Sequence, residues 1–352
     1  MPYSRQDISE EDIQSVNNVL RSEFLTQGNV YKEFEKAIAT KVKSKYCVSF
    51  NSATSALHIA CLALGLKKGD ILWTTPTTFV ASANCAIYCG AEIDFVDIEL
   101  KTGLMSVELL EAKLCEASKI GKLPKIIIPV HLAGSSCDMP SINNLSKKYG
   151  FRIIEDASHA IGGVCNGFSV GSCEYSDITV FSLHPVKIIT SAEGGLATTN
   201  SKSISDLMRT LSNHGIIKDK NYFIGDNFES WRYEQQSLGF NYRLSDVHAA
   251  LGISQLERLD YFIKKRNEIA NTYKNELTNL PLNFLVPYDF VKSTYHLFIV
   301  KLSKSNKEIH ENIFNYLRSK GIGVQLHYLP VHLQPFYLNM GFSKGLFPNS
   351  EN

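Results

Sequence analysis

Between residues 46 and 155, short β-rich runs alternate with helical segments, and this alternation restricts the possible folds more than any other feature. Such a pattern is typical of an α/β sheet covered by helices on both faces. Two later β-rich runs, Ile178–Leu183 and Gly195–Thr199, predict a hairpin-like continuation of that sheet. The predicted strands of the alternating stretch are Tyr46–Phe50, Asp70–Thr75, Ile93–Ile98, Lys125–Val130 and Arg152–Glu155, and the predicted helices are Ser55–Leu64, Val80–Cys89, Val107–Ser118 and Ile142–Tyr149.

The pattern changes after Ser245, which indicates a second, smaller α+β unit. Two helices, Glu10–Ser22 and Phe34–Val42, are predicted to precede the large unit. We therefore predict a large α/β domain over residues 1–255, with an N-terminal helical segment, and a small C-terminal domain over residues 256–352. The predicted elements of the small unit are a long or bent helix over Asp246–Tyr273, a β-rich run over Tyr295–Leu302, a helix over Lys307–Ser319 and a strand over Val324–His327.

Charge and cysteine content exclude several classes of protein. The 36 basic and 35 acidic residues leave a net charge of +1, which gives no support for nucleic acid or a membrane surface as a partner. The N-terminal residues MPYSRQDISEEDIQ are polar and lack the apolar core of a signal peptide. The eight cysteines are scattered without a CxxC motif. We therefore expect reduced thiols in a cytoplasmic protein, with no disulfide framework and no metal site.

The first segment suited to chemistry is FNSATSALH, residues 50–58, where a predicted strand ends at small hydroxyl residues and a helix begins. The free N–H groups and the positive dipole end of such a helix can bind an anion. Ser52 and Thr54 would add hydroxyl donors. Plain N-capping by a serine or threonine is the simpler explanation of this segment taken by itself.

The second segment, RIIEDASHA, brings Glu155 and Asp156 to the carboxyl end of an apolar strand, where open α/β sheets bind ligands. A carboxylate there can hold a metal, act as an acid or base, or pair with a cationic ring nitrogen, and an aspartate that caps the next helix explains it equally well. The third segment, FSLHPVKIITSAEGG, places Lys187 alone in an apolar and hydroxyl stretch. Burial lowers the pKa of a lysine and makes it a nucleophile, whereas a solvated loop lysine is the ordinary alternative.

An anion cradle, an aspartate at a strand end and a poised lysine together meet the needs of a pyridoxal-phosphate (PLP) site. In such a site the lysine forms a Schiff base with the cofactor. The carboxylate keeps the pyridinium nitrogen protonated, so that the ring can act as an electron sink. The three segments together therefore predict pyridoxal 5'-phosphate as the cofactor.

From Pro2 to Asn352 the sequence resembles the fold-type I sugar aminotransferases known as the DegT/StrS family. The matching segments are FLTQGNVYKEFEKA, NSATSALHIA, TTPTTFVASAN, IIPVHLAGSSCDM, IIEDASHAIGG, FSLHPVKIITSAEGG, LGFNYRLSDVHAALGISQLERLD and GVQLHYLPVHLQPFY. The resemblance implies a large, mostly parallel seven-stranded sheet domain and a smaller C-terminal α+β domain. The segments HYLPVHLQPFY and SWRYEQQSLGFNYR are most similar to members that act in pseudaminic acid biosynthesis. Those members transfer an amino group from L-glutamate to C4 of a UDP-linked 4-keto-6-deoxy-N-acetyl sugar.

The resemblance also implies roles for individual residues. Lys187 would be the Schiff-base lysine and then the acid and base that moves a proton between cofactor and sugar, and Asp156 would pair with the pyridine nitrogen. The other implied cofactor contacts are Phe79 on the ring face, His159 beside the phenolic oxygen, and Ala53, Thr54, Ser182 and the partner subunit's Asn241 at the phosphate. Because Asn241 would come from the second chain, the resemblance also implies a homodimer with shared active sites. The implied contacts to the sugar nucleotide are Gln27, His327 and His332.

Simpler explanations exist for several of these residues. Phe79 can belong to the core, His159 can be a structural histidine, and Asn241 can be a turn residue. The histidines of the HYLPVHLQ segment form a weak metal-binding pattern, which the resemblance replaces with a position near the sugar nucleotide.

Two departures from the family pattern are notable. Ala53 occupies a position where many relatives have glycine, and a methyl group in a tight phosphate turn is tolerable only if φ stays negative. Relatives also continue for a few dozen residues past the point where this sequence stops, so we expect a truncated small domain.

Four other functions are alternatives to this one. An aminotransferase for a different keto-sugar, at C3 or another C4, fits the same motifs. A PLP-dependent sugar dehydratase of this fold would carry histidine at the position of Lys187, and a catalytically silent relative would not need Lys187 and Asp156. A nicotinamide-dependent oxidoreductase would show a GxGxxG motif after an early strand, and this sequence has none there.

Overall fold

The computed structural model of the protein describes residues 2–226, 229–303 and 306–352. The helices are α1 (Glu10–Leu20), α2 (Val30–Val42), α3 (Ala53–Ala63), α4 (Ala81–Tyr88), α5 (Val107–Lys119), α6 (Met139–Tyr149), α7 (Lys202–Ser212), α8 (Asp246–Glu257), α9 (Leu259–Glu276), α10 (Lys307–Ser319), α11 (Pro335–Leu338) and α12 (Pro348–Glu351). The strands are β1 (Tyr46–Phe50), β2 (Ile71–Thr74), β3 (Glu92–Phe95), β4 (Ile126–Ile127), β5 (Arg152–Asp156), β6 (Val164–Cys165), β7 (Phe168–Ser169), β8 (Ile178–Ser182), β9 (Gly195–Thr199), β10 (Ile216–Ile217), β11 (Glu234–Gln235), β12 (Leu282–Phe284), β13 (Val291–Lys292) and β14 (Val300–Leu302).

One seven-stranded sheet, in the order β1-β9-β8-β5-β4-β2-β3, forms the centre of the molecule. Its neighbours from β3 to β8 pair in parallel, whereas β9 is antiparallel to both β8 and β1. The prediction of a mostly parallel seven-stranded sheet is confirmed, and so is the hairpin-like pairing of the last two predicted strands. Strands β8 and β9 are buried along their whole length, which explains why their sequences are continuously apolar or small.

Helices cover both faces of this sheet because successive strand residues point to opposite sides. Ile126 and Ile154 pack in a cluster with residues of α3, α4 and α7. Their neighbours Ile127 and Ile153 pack in a second cluster with residues of α5 and α6. A third cluster joins α2 and α8 to Phe181. Within the described parts of the chain, no helix combines the length and apolar character needed to cross a membrane.

The smaller unit differs more from its predicted elements. The sequence predicts a long or bent helix over Asp246–Tyr273, and the structure shows the bent form, in which α8 and α9 meet at Arg258. The β-rich run predicted over Tyr295–Leu302 is a strand only at Val300–Leu302. Its first part instead packs against the large sheet domain, where Thr294 Oγ1 donates to His159 O at 2.8 Å. The strand predicted over Val324–His327 is wrong, because this described segment pairs with no strand.

Residues 331–352, here called the C-terminal segment, lie against the large sheet. The Phe95 ring at the end of β3 contacts the rings of Phe342 and Phe347, with centroid distances of 5.1 and 5.8 Å. The Asp97 carboxylate accepts hydrogen bonds from the backbone N–H groups of Asn349 and Ser350, at 2.8 and 2.9 Å, and so caps α12. The segment is therefore anchored to the edge of the sheet rather than to the small unit. The domain boundary near residue 255 stays a prediction.

Candidate active site

The predicted site residues follow the carboxyl ends of four strands. Ala53 and Thr54 begin α3 directly after β1, Phe79 follows β2, Asp156 ends β5 and Ser182 ends β8. These four strands run in the same direction, since β1 and β8 are both antiparallel to β9. Their carboxyl ends therefore meet at one edge of the sheet, which is where open α/β sheets bind ligands.

Lys187 lies at this edge, in the loop that joins β8 to β9. The loop is fixed by backbone hydrogen bonds, including Lys187 N to His184 O at 2.8 Å and Ser191 N to Leu183 O at 3.0 Å. The side chain is partly buried, and its Nζ has no hydrogen bond or ion pair with the residues that the structure describes. Burial lowers the pKa of Lys187 to about 8, although the nearby Asp156 carboxylate acts in the opposite direction. These are the properties of a nucleophilic lysine rather than of a solvated one.

The Asp156 carboxylate is held by hydrogen bonds on both oxygens. Its Oδ2 accepts from Ser82 Oγ at 2.6 Å, and its Oδ1 accepts from Ser158 N at 3.1 Å. The residue is buried, and its charge acts on Lys187. A turn rather than a helix follows β5, so the predicted alternative of a helix-capping aspartate does not describe this residue. A fixed, buried carboxylate beside an amine is suited to hold a cationic ring nitrogen.

The adjacent Glu155 points to the opposite face of β5 and has a different environment. Its oxygens accept hydrogen bonds from Ser176 Oγ at 2.5 Å and Thr179 Oγ1 at 2.9 Å, and lie 2.7 Å from His131 Nε2. Burial opposes ionisation, but the hydrogen bond and charge of His131, with the two hydroxyl donors, lower the pKa of Glu155. Because its oxygens are already bonded, Glu155 stabilises the sheet and does not share a ligand with Asp156.

Three histidines lie close enough to Lys187 for its charge to act on their rings. The rings of His159 and His296 lie 4.4 Å apart, and Tyr328 Oη lies 3.5 Å from His159 Nε2. The Nδ1 atoms of both histidines are buried without a partner in the described residues. Burial, followed by the positive charge of Lys187, lowers the pKa of both rings well below the usual value, and burial also lowers the pKa of His327. The imidazoles near the amine are thus disfavoured from carrying a positive charge of their own.

The first turn of α3 offers an anion cradle. Ser52 Oγ accepts from Ser55 N at 3.1 Å, so the N-capping explanation holds for Ser52. The N–H groups of Ala53 and Thr54 keep no partner among the described residues. Ala53 is helical and is not among the residues with positive φ, so its methyl group is tolerated. A Cβ on Gly195 would lie 2.3 Å from Ser52 O, which explains why only glycine lets β9 pass so close to the cradle.

Other predicted residues lie farther from this group. Phe79 is 60% exposed, and Gln27 and Asn241 are also exposed, without a contact to Lys187 among the described residues. His332 has no exposed surface, and its Nε2 lies 2.9 Å from Glu351 Oε1 in the C-terminal segment. The structure therefore brings His327 to the lysine but does not bring His332 there, because that ring is packed inside the C-terminal segment.

Several residues at the site had no signal in the sequence. Ser82 and His296 bond or contact the predicted residues only through tertiary packing. Near the N-terminus, Ser4 Oγ donates to Val186 O at 2.8 Å, and the Tyr3 ring lies 5.6 Å from the His327 ring. This segment therefore lies over the lysine loop. Metal-binding groups of three or more His, Cys, Asp or Glu side chains do not occur among the described residues.

Comparisons with known proteins point to the same chemistry. Residues 6–352 match the model of the DegT/DnrJ/EryC1/StrS aminotransferase family. A UDP-4-amino-4,6-dideoxy-N-acetyl-beta-L-altrosamine transaminase of Campylobacter jejuni is 40% identical over 339 residues, which cover 96% of this chain and 86% of the relative.

Solved structures give the same result for the fold. Helicobacter pylori PseC, an aminotransferase involved in the biosynthesis of pseudoaminic acid, superposes with a TM-score of 0.89 at 31% identity, over 98% of this chain and 89% of that chain. The PLP form of Streptococcus pneumoniae Spr1654 superposes with a TM-score of 0.88 at 28% identity, over 99% and 90% of the two chains. The predicted fold class and the predicted resemblance are confirmed. The chain belongs to the DegT/DnrJ/EryC1/StrS aminotransferase family.

Proposed function

We propose that the chain transfers an amino group from L-glutamate to C4 of a UDP-linked 4-keto-6-deoxy-N-acetyl sugar, with pyridoxal 5'-phosphate as its cofactor. The observation that carries the chemistry is Lys187, an amine of lowered pKa beside the Asp156 carboxylate at the carboxyl edge of the sheet. The names of the Campylobacter jejuni relative and the Helicobacter pylori neighbour support the sugar substrate. The product would enter pseudaminic acid biosynthesis.

The residues present fit PLP. The unpartnered N–H groups of Ala53 and Thr54 are donors for its phosphate, and Ser182 pairs in the sheet with Gly195, which lies against that cradle. The buried His159 Nδ1 lacks a partner among the described residues, as expected of a polar atom that bonds a ligand. The exposed ring of Phe79 can stack on the cofactor.

When bound, PLP supplies the electron sink for breaking bonds at the amino-bearing carbon. Lys187 Nζ would hold the cofactor and later accept and return the proton that moves between the two carbons, which a pKa of about 8 allows near neutral pH. Asp156 would hold a proton on the ring nitrogen, and Ser82 keeps the carboxylate in place. For the sugar nucleotide we propose contacts from His327, beside the lysine, and from Gln27.

A homodimer with shared active sites is part of this proposal. The described residues between 222 and 238 precede Asn241 and include several large apolar side chains that are exposed in the single chain, a pattern typical of an association surface. Asn241 itself is exposed and lies beside the end of β1, where Asn51 N donates to Tyr242 O at 2.8 Å. The exposed apolar residues of this segment are Tyr222, Ile224, Trp231, Tyr233 and Leu238.

We also propose the cytoplasm as the compartment, because all eight cysteines are free thiols, as in proteins of a reducing environment. The boundary between a large domain and a small domain is proposed near residue 255, where α8 meets α9.

The activity is tested by an absorbance spectrum of the purified protein with added PLP, before and after L-glutamate. We expect a visible band that glutamate bleaches and that Lys187→Ala does not form, while Lys119→Ala, on the exposed end of α5, behaves as wild type. The UDP-linked keto-sugar should then regenerate the original band. A folded protein that takes up no PLP would contradict the proposal.

The shared site is tested by mixing Lys187→Ala with Asn241→Asp, whose added negative charge should repel the cofactor phosphate and abolish activity, under conditions of subunit exchange. In a two-fold dimer, half of the molecules become mixed and each has one intact site, so about a quarter of wild-type activity should return. A mixture that remains inactive, although both variants dimerise, would show that each chain builds its site alone.

A further inference from the structure

His296 lies beside a proposed cofactor contact but has no part in the chemistry proposed above. The centroid of its ring is 4.4 Å from that of the His159 ring, and the two ring planes are tilted by 40°. His159 is 6% exposed and His296 is 5% exposed, and the Nδ1 atoms of both lack a partner within the described residues. Two buried rings at this separation are in direct contact, so each restricts the orientation of the other.

The backbone beside His296 is bonded to the large sheet domain. Thr294 N donates to Gly134 O at 3.0 Å, and Thr294 Oγ1 donates to His159 O at 2.8 Å. A Cβ on Gly134 would lie 2.2 Å from Thr294 Oγ1 and 3.0 Å from His296 N. Glycine at this position is therefore what allows the segment that carries His296 to lie so close to His159.

Helix α9 holds the same segment from the other side. Arg266 Nη1 donates to His296 O at 3.0 Å, and Asn267 Nδ2 donates to Ser293 O at 3.1 Å. The two donors are adjacent residues of one helix, and their acceptors lie three residues apart. The backbone of His296 is thus fixed between α9 and the large sheet domain.

Tyr295, directly before His296, has a strained backbone. Its φ is 44°, in the left-handed region that a bulky side chain rarely adopts. Its Oη accepts a hydrogen bond from Lys274 Nζ at 2.7 Å, and its N–H donates to Ser293 Oγ at 3.1 Å. Strain of this kind persists only where the surrounding bonds impose it, and it is concentrated at functional sites. The bonds and the strain together set the direction in which the His296 side chain leaves the backbone.

The orientation of the His159 ring matters because the ring is neutral. Burial, followed by the positive charges of Lys187 and His296, lowers the pKa of His159 well below its usual value. A neutral imidazole has one donor nitrogen and one acceptor nitrogen, so the ring orientation decides which of them meets a ligand. A ring that turned freely would offer the wrong nitrogen for part of the time.

We propose that His296 is a positioning residue of the active site, whose ring holds the His159 ring in the orientation that meets the bound cofactor. The inference rests on the proposed function, because His159 is a cofactor contact only there. His296 acts through His159 and not on a reacting atom. Its ring face, rather than its nitrogens, supplies the effect, so a phenyl ring should replace it.

The first test needs no cofactor. The full-length chain without PLP is treated with diethyl pyrocarbonate, which modifies neutral imidazoles, and each histidine is mapped by mass spectrometry. Loss of the ring contact should favour local opening and make His159 react about fivefold faster in His296→Ala, whereas His296→Phe should keep the wild-type rate.

Two other histidines are internal controls for this test. His310 is exposed on α10 and calibrates the reagent, and His332 has no exposed surface in the C-terminal segment. Both should react at the same rate in every variant. An unchanged rate of His159 in His296→Ala would overturn the proposal. A rise at His332 together with His159 would also overturn it, because the variant would then be loosened as a whole.

The second test is a fluorescence titration with PLP. His296→Ala should weaken PLP binding about fivefold, and His296→Phe should bind within about twofold of wild type, as should the surface control His310→Ala. An unchanged Kd in His296→Ala, or a Kd in His296→Phe as high as in His296→Ala, would overturn positioning by the ring face. A wild type that takes up no PLP would contradict the proposed function instead, and the first test alone would then decide whether His296 fixes the His159 ring.

Discussion

Two polar clusters of this molecule, one buried and one partly buried, are built in opposite ways. Around Asp12 in α1, the carboxylate accepts hydrogen bonds from Ser254 Oγ at 2.6 Å, Gln255 Nε2 at 2.7 Å and Arg258 Nη2 at 2.5 Å. Around Lys187, the amine has no such partner among the described residues. Buried polar groups that are fully bonded stabilise a fold, whereas unpaired ones reduce its stability and are retained where chemistry needs them. The difference separates the part of the molecule that holds the helices together from the part that is built to react.

The largest effect is expected from Lys187→Ala. Loss of the group that moves the proton should lower kcat by at least about 1,000-fold. Because the amine has no partner to lose, the free energy of unfolding of the variant should not fall. Single-turnover rates and urea denaturation measure the two quantities, and a variant that loses both activity and stability would show that Lys187 is a structural residue like Asp12.

Asp12→Asn should have the reverse effect, a loss of stability with unchanged kcat. Removing one partner of a buried ion pair is costly, and since Arg258 is partly exposed we expect about 2 kcal/mol at pH 7. Urea denaturation measures this change. Asp7→Asn is the matched control: its exposed carboxylate also bonds Arg258, and the expected loss is below about 0.5 kcal/mol.

The pH dependence of the Asp12 effect follows from its pKa. Burial acts to raise the pKa of Asp12, but the hydrogen bonds from Ser254, Ser9 and Gln255 and the charge of Arg258 outweigh it, and the pKa is lowered. The stabilisation is therefore complete above the ordinary aspartate value of about 3.9 and is lost as the pH falls through the lowered value of the folded state. The difference between wild type and Asp12→Asn should disappear in strong acid. A difference that persists there would mean that packing, not charge, holds the cluster.

A smaller effect is expected for Lys187→Met in the cofactor-free protein. The pKa of Lys187 is lowered to about 8, so the folded state binds its proton less tightly than the unfolded state, and the lysine destabilises the fold below pH 8. The methionine variant should be more stable by about 1–2 kcal/mol at pH 7. The gap should close as the pH rises from about 8 towards the ordinary lysine value near 10.4. Urea denaturation at both ends of this range tests it, and a constant gap would contradict burial as the cause.

The smallest effect is expected for Ser82→Ala. Its hydroxyl donates to Asp156 Oδ2 at 2.6 Å, and loss of one hydrogen bond to a charged group should weaken PLP binding about fivefold. Fluorescence titration with PLP measures the change, and Ser118→Ala on the exposed side of α5 is the control. An unchanged Kd would show that Asp156 keeps its position without this bond.

The large sheet could be predicted from the sequence because its strands are buried on both faces. Gly195–Thr199 has its predicted bounds, and Arg152–Asp156 is one residue longer than predicted. Continuous apolar runs of this kind depend little on distant partners. Exposed or half-buried elements of the small unit depend on such partners, which is why the strand at Val324–His327 was predicted wrongly.

The same distinction applies to the site. Asp156 ends β5, and Lys187 lies in the loop after β8. Because both strands could be predicted, it could also be predicted that these two residues lie at the same edge of the sheet. His296 reaches the site only because the segment around it packs on the large domain, where Thr294 N donates to Gly134 O at 3.0 Å. His332 was predicted from the same motif as His327, but the folding back of the C-terminal segment carries it to Glu351. A local motif does not encode packing of this kind.

The anchoring of the C-terminal segment on β3 also bears on how the chain is made. Ser350 is 253 residues beyond the Asp97 carboxylate that it bonds. At a synthesis rate of 5–20 residues per second, the ribosome needs roughly 10–50 s to supply that partner. Throughout this interval the Phe95 edge of the sheet stays uncovered on the nascent chain. The time at which this apolar edge can be covered is therefore set by translation rather than by the folding rate of the sheet.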